Sequence, residues 1–71
     1  MGKTFDWAFY TTKCDGTTIM VCFVEDEGWE IYYKRPMYPF MFAFGLPEVH
    51  TITEVFDIAK ANIVHYEDLF N

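Results

Sequence analysis

The chain has 71 residues, a formal net charge of −6, and 52% hydrophobic and 21% aromatic residues. This length predicts one domain covering residues 1–71, and the apolar content excludes a disordered segment. The acidic balance argues against direct nucleic-acid binding, because phosphate contacts require a basic surface. No apolar run reaches the ~20 residues of a membrane-spanning helix, and the N-terminus lacks a signal-peptide pattern, so we expect a cytoplasmic protein that does not contact membranes.

Three segments in the first half of the chain are rich in β-branched and aromatic residues and are bounded by turn residues. They predict strands at 7–12, 18–24 and 29–34. Residues 14–16 and 26–28 each read as a three-residue hairpin loop ending in a left-handed glycine. The first loop sets these pairs: Thr11 with Ile19, Phe9 with Val21, and Trp7 with Phe23. The second loop sets two more: Phe23 with Ile31, and Val21 with Tyr33.

This register predicts one apolar sheet face that forms the core. Its members are Phe5, Trp7, Phe9, Ile19, Val21, Phe23, Trp29, Ile31 and Tyr33. Residues 40–44 alternate large and small side chains after two prolines, which predicts a short fourth strand at an edge. We expect this strand to add Phe40, Phe42 and Phe44 to the core face, and Met41 and Ala43 to the other face.

The C-terminal segment predicts an amphipathic helix that begins with a capping box. Thr51 and Glu54 have the Thr-x-x-Glu spacing of this motif, and Val49 could pack against Val55 as a hydrophobic staple. Apolar residues then recur at helical spacing: Ile52, Val55, Phe56, Ala59, Ile63, Tyr66 and Phe70. The predicted fold is α+β, a three- to four-stranded antiparallel β-meander with one C-terminal α-helix packed across one face.

The sheet face opposite the helix, called the outer face below, has an apolar centre and charged margins. Its predicted rows are Tyr10, Met20 and Lys34; Ala8, Cys22 and Tyr32; and Asp6, Val24 and Glu30. A solvent-exposed sheet face normally carries charged and polar side chains. Because the centre of this face is apolar, we expect another segment or chain to cover it. The cover could be residues 36–50 of the same chain, a second copy, or a partner protein. The candidate interface residues are Tyr10, Met20, Cys22, Val24, Tyr32 and Met41, with the acidic turn Glu25, Asp26 and Glu27.

The sequence offers no catalytic, cofactor or metal constellation. Cys14 and Cys22 would lie roughly 20 Å apart on the first hairpin, too far for a disulfide, so both are expected to be free thiols. His50 and His65 have no metal-ligand spacing, and the chain contains no serine nucleophile and no glycine-rich phosphate loop. We therefore expect a protein that is not an enzyme.

These features favour a small acidic, non-catalytic protein-interaction module. It could be a regulator or inhibitor, such as mobile elements encode, that occludes a basic surface of a target protein. The alternative is a self-assembling homodimeric structural protein with no other partner, since small domains gain stability by dimerising. A small-ligand domain, or a single-stranded nucleic-acid binder that stacks bases on Tyr10 and Tyr32, is less favoured because the basic groove is missing.

Overall fold

The fold is a four-stranded antiparallel meander followed by one helix. The computed structural model describes residues 7–12 and 16–63, with Trp7 given by its backbone alone. Its elements are β1 (Trp7–Thr12), β2 (Thr18–Val24), β3 (Gly28–Lys34), β4 (Met41–Leu46) and α1 (Ile52–Asn62). The strands lie in the order β1-β2-β3-β4, so the predicted α+β meander with a C-terminal helix is confirmed.

The register of the first hairpin is as predicted. Thr11 pairs with Ile19, Phe9 with Val21, and the Trp7 backbone with Phe23. Predictions for Phe5, Asp6, Cys14 and the Trp7 side chain lie outside what the structure describes.

The register of the second hairpin differs from the prediction by two residues. Val21 pairs with Ile31 rather than Tyr33, and Phe23 with Trp29 rather than Ile31. Two backbone features explain the shift, one at Asp26 and one at Gly28. Asp26 adopts a left-handed φ of 69°, which Asp tolerates better than most residues, so the turn is centred on Asp26 and the loop is residues 25–27.

Gly28 belongs to β3 instead of the loop, and this position has no room for a side chain. Its φ is 98°, and an added Cβ would collide with the Leu46 carbonyl oxygen and lie 2.9 Å from the Glu48 nitrogen. The chain leaving β4 therefore passes directly over this glycine. A two-residue shift preserves the face of every side chain but changes its neighbours.

The fourth strand contains a bulge that the sequence did not reveal. Tyr32 pairs with Phe42 and Ile31 with Phe44, so Ala43 is an extra residue between them. The bulge places Phe44 on the core face, as predicted, but turns Phe42 to the outer face. Met41 pairs with Tyr33, so Met41 and also Ala43 pack against the core rather than extending the outer face as expected.

The helix covers the core face and is tethered by two hydrogen bonds from β3. Core residues from the sheet and the helix form one cluster: Ile19, Val21, Trp29, Ile31, Tyr33, Val55, Ala59 and Ile63. The Tyr33 hydroxyl donates to the Ala59 carbonyl oxygen at 2.7 Å, in the last turn of α1. The Trp29 indole N–H donates to the His50 carbonyl oxygen at 3.1 Å, just before α1 begins. The helix axis therefore follows the direction of β3.

The predicted capping box is present. The Glu54 backbone N–H donates to the Thr51 hydroxyl at 3.2 Å, and the Thr51 N–H donates to the Glu54 carboxylate at 2.8 Å. Hydrogen bonds from the backbone and side chain of Thr51 hold the pKa of Glu54 below its ordinary value, so this contact weakens as pH falls through that lowered pKa. The staple prediction was wrong, because Val49 is 83% exposed while Val55 is fully buried. Tyr66 and Phe70 lie outside the described residues.

Tyr33→Phe tests the tether between sheet and helix. The change keeps the buried ring and removes the donor to Ala59, so we expect the free energy of unfolding to fall by about 1–2 kcal/mol. Chemical denaturation monitored by circular dichroism measures it. Tyr10→Phe is the matched control, because its exposed hydroxyl should contribute no more than about 0.5 kcal/mol. Equal stabilities for the two variants would contradict the tether.

Candidate interaction surface

The outer face has a buried centre and exposed edges. One row crosses all four strands, from Tyr10 through Met20 and Tyr32 to Phe42. Tyr10 on the β1 edge is 61% exposed, and Phe42 on the β4 edge is also exposed, whereas Met20 between them is buried. The rings of Tyr32 and Phe42 meet edge to face, with centroids 5.5 Å apart. In the structure, the accessible apolar area of this face lies at its two edges.

The candidate interface residues fall into three environments. Met20, Cys22 and Val24 are buried within the single chain and offer little area to a partner in this conformation. Tyr32 is half-buried on the outer face, and Met41 is half-buried on the core side. The exposed members are Tyr10 and the turn residues Glu25, Asp26 and Glu27.

The loop between β3 and β4 contributes part of the cover. Phe40 was expected on the core face, but its ring lies 6.1 Å from the Tyr10 ring, so this loop reaches the outer face near the β1 edge. Pro36 abuts Gly16, because a Cβ on that glycine would lie 2.9 Å from the Pro36 ring. One of the three covers considered from the sequence, residues 36–50 of the same chain, thus accounts for this corner of the face.

The centre of the outer face holds a thiol beside a carboxylate. The corrected register pairs Cys22 with Glu30, where the sequence had suggested Tyr32. Glu30 is buried, and the Tyr32 hydroxyl donates to it at 3.0 Å. Burial, and then the neighbouring Glu30 charge, raise the pKa of the Cys22 thiol to about 11. This environment suppresses the thiolate that nucleophilic or metal chemistry requires.

Four exposed carboxylates gather at one end of the sheet, called the acidic end below. Its residues are Glu25, Asp26, Glu27 and Glu48. The first three form the β2–β3 turn, and Glu48 joins them because the chain leaving β4 crosses Gly28. The sequence predicted the turn but not the addition of Glu48, since that contact depends on where β4 ends.

The basic side chains of the described residues lie at the opposite end of the sheet, called the basic end below. Lys34 is the last residue of β3 and Arg35 follows it, and Lys60 lies in the helical turn that Tyr33 tethers to this end. Among the described residues, these opposite charges are therefore separated along the strands, which the net charge of −6 does not reveal.

A methionine at the basic end has an unusual backbone, which sequence reasoning missed. Met37 has a φ of 70° and is 100% exposed. The neighbouring prolines signalled a turn, but nothing about a methionine marks a left-handed position.

The described part of the chain shows no group of three or more His, Cys, Asp or Glu side chains able to hold a metal ion. Within residues 7–12 and 16–63, no helix is long and apolar enough to cross a membrane. Comparison with protein-family models, curated proteins and solved structures finds no match for this chain.

The environment of Cys22 predicts an inert thiol. In a Cys14→Ser background, we expect Cys22 in the folded chain to react with a disulfide reagent at least about 100-fold more slowly than in denaturant at neutral pH, because burial and a pKa near 11 suppress the thiolate. Stopped-flow absorbance across a pH series measures the rate. Glu30→Gln is the control: it removes the charge and keeps the burial, so most of the protection should persist. If Cys22 reacted as fast in the folded chain as in denaturant, the prediction of a buried, inert thiol would be wrong.

Proposed function

We propose that the chain is a small acidic, non-catalytic protein-interaction module that acts in the cytoplasm. It would serve as a regulator or inhibitor, of the kind that mobile elements encode, by covering a basic surface of a target protein. The observation that carries this proposal is the acidic end, where two separate chain segments bring four exposed carboxylates together.

The chemistry of this end favours a basic protein surface. Clustered carboxylates at a turn create a negative potential that steers a positively charged partner and discriminates against acidic ones. The turn is anchored by the Glu27 N–H, which donates to the Val24 carbonyl oxygen at 3.1 Å, so its backbone is held in one geometry. A held backbone lowers the entropy cost of binding.

Other features agree with a non-catalytic role in a reducing compartment. Cys22 is a free, buried thiol with a raised pKa, as expected of a cysteine that packs rather than reacts. Glu30, the buried carboxylate of the described residues, is engaged by a tyrosine hydroxyl. These observations support the proposal without identifying the target.

Charge reversal at the acidic end tests the proposed function. Tagged wild type would be used to recover a stoichiometric partner from its source cells, and the purified pair measured by surface plasmon resonance. Glu25→Lys and Glu48→Lys should each weaken binding by about three- to ten-fold, mainly through slower association, because each places a cation against a basic surface. The wild-type affinity should also fall as salt rises.

Asp57→Lys is the matched control. It changes the net charge by the same amount at an exposed helix position away from the acidic end, and it should leave binding within about two-fold of wild type. A target bound equally by all variants, or the recovery of no stoichiometric partner, would defeat the proposal. Circular dichroism of each variant confirms that folding is retained.

A second candidate is a homodimer that pairs two β1 edges. Among the described residues, β1 has a strand on one side only, and it carries no charge, proline or glycine to block pairing. Phe9 on the helix side is 39% exposed and Tyr10 on the outer side is exposed, so a second copy would cover apolar area on both faces. β4 is a poorer edge, because its bulge and Gly45 interrupt it.

Sedimentation equilibrium tests the dimer. Wild type should sediment as a dimer that strengthens with salt, since each copy carries −6 and screening relieves their repulsion. Ala8→Lys on the β1 edge should give monomers, while Phe42→Lys on the β4 edge should leave the dimer intact. A monomeric wild type, or dissociation by the β4 variant alone, would exclude this assembly.

A further inference from the structure

The loop between β3 and β4 contains a turn whose conformation is costly for its residue. The Tyr38 N–H donates to the Arg35 carbonyl oxygen at 3.0 Å, which closes a four-residue turn. Pro36 fixes a negative φ at the first central position, and Met37 has a φ of 70° at the second. This combination is a type II turn, which strongly favours Gly or Asn where Met37 lies.

Folding gains nothing visible from methionine at this position. Its side chain is 100% exposed, so it buries no apolar surface within the chain. Glycine would adopt the same φ without the clash between Cβ and backbone. A strained residue that contributes no packing is better explained by a contact outside the chain, because strain of this kind concentrates at binding sites.

The turn is also held in place before any partner arrives. Pro36 packs against Gly16 at one side of the turn, and Phe40 contacts the Tyr10 ring after it. Prolines at 36 and 39 bracket Met37 and restrict the backbone on both sides. A preformed contact element loses little entropy on binding, and the flexible thioether of methionine adapts to an apolar pocket.

We propose that the turn Arg35–Tyr38 inserts Met37 into an apolar pocket, rimmed by carboxylates, on a partner protein. The acidic rim follows from charge complementarity, because Arg35 begins the turn, Lys34 precedes it and Lys60 lies at the same end. This surface is separate from the acidic end, and the proposal does not rest on the function proposed above.

Other occupants fit the same end less well. A second copy would present its acidic end, where Val49 is the large hydrophobic side chain that the described residues expose, and it protrudes rather than forming a pocket. An anionic membrane fits less well, because one exposed methionine is too small an apolar anchor, and the described cations at this end, Lys34, Arg35 and Lys60, are fewer than the roughly four to eight of a lipid-binding basic cluster. A protein pocket is therefore the occupant to test.

Site-specific photo-crosslinking tests the contact. A diazirine analogue of methionine would replace Met37 in the full chain and be irradiated in lysate from its source cells. The matched control carries the same analogue at Val49, which is also highly exposed but lies near the acidic end. We expect position 37 to label one protein at a single peptide that contains Asp or Glu beside apolar residues. Position 49 should not label that peptide.

Two substitutions make the outcome decisive. Arg35→Glu should reduce the position-37 crosslink at least about ten-fold, since it places a carboxylate against the acidic rim. In a chain without the analogue, Met37→Gly should abolish binding to the labelled protein, yet leave the midpoint of thermal unfolding equal to or above that of wild type.

Each alternative result overturns the proposal. Labelling of this chain itself would indicate self-association, and labelling of lipid, or co-flotation with phosphatidylserine vesicles, would indicate a membrane contact. No defined product at position 37, or the same products from position 49, would mean an unspecific exposed side chain. A lower unfolding midpoint for Met37→Gly would assign Met37 to folding.

Discussion

The pairing of β2 with β3 is the constraint on which the surfaces depend. It places Glu30 opposite Cys22 at the centre of the outer face, whereas the sequence predicted Glu30 at the margin of that face. A buried carboxylate is costly unless it is hydrogen-bonded, and the Tyr32 hydroxyl meets part of that need. Tyr32 therefore makes contacts within the chain: its hydroxyl donates to Glu30, and its ring packs against Phe42. The outer face is consequently a largely internal structure, and its exposed side chains lie at its edges and at the two ends of the sheet.

Sequence patterns predicted the features that depend on local chemistry. Alternating β-branched and aromatic residues gave the strands, and the Thr51–Glu54 spacing gave the start of the helix. The error in the second hairpin arose where two neighbouring turn residues both tolerate a left-handed conformation. Asp26 adopts the left-handed conformation that the sequence favoured for Gly28 alone, and this moved the second register by two residues.

The remaining misses depend on tertiary contacts. The bulge at Ala43 cannot be read from an alternating aromatic segment, because either register leaves large side chains on both faces. Met20, Cys22 and Val24 were interface candidates because the sequence predicts an apolar outer face that needs a cover, and it does not show that the single chain buries them. Glu48 joins the acidic end only through the path of the chain over Gly28.

The meander explains why the charges separate. The β2–β3 turn and the exit from β4 share one end, while the β3–β4 loop and the last turn of the tethered helix share the other. β3 has seven residues, so the ends are about 20 Å apart, well beyond the roughly 8 Å screening length at physiological salt. Each end therefore acts as a separate electrostatic surface, and the net charge describes neither.

The two ends differ in what their residues imply. Exposed carboxylates have a general use, because they keep a small and highly apolar chain soluble, and this explains their presence without any partner. An exposed methionine in a left-handed turn improves neither solubility nor packing, and glycine would relieve the strain. Natural chains commonly give up some stability where a site must be held ready for binding. Of the two ends, the one with the weaker charge thus carries the more specific evidence for recognition.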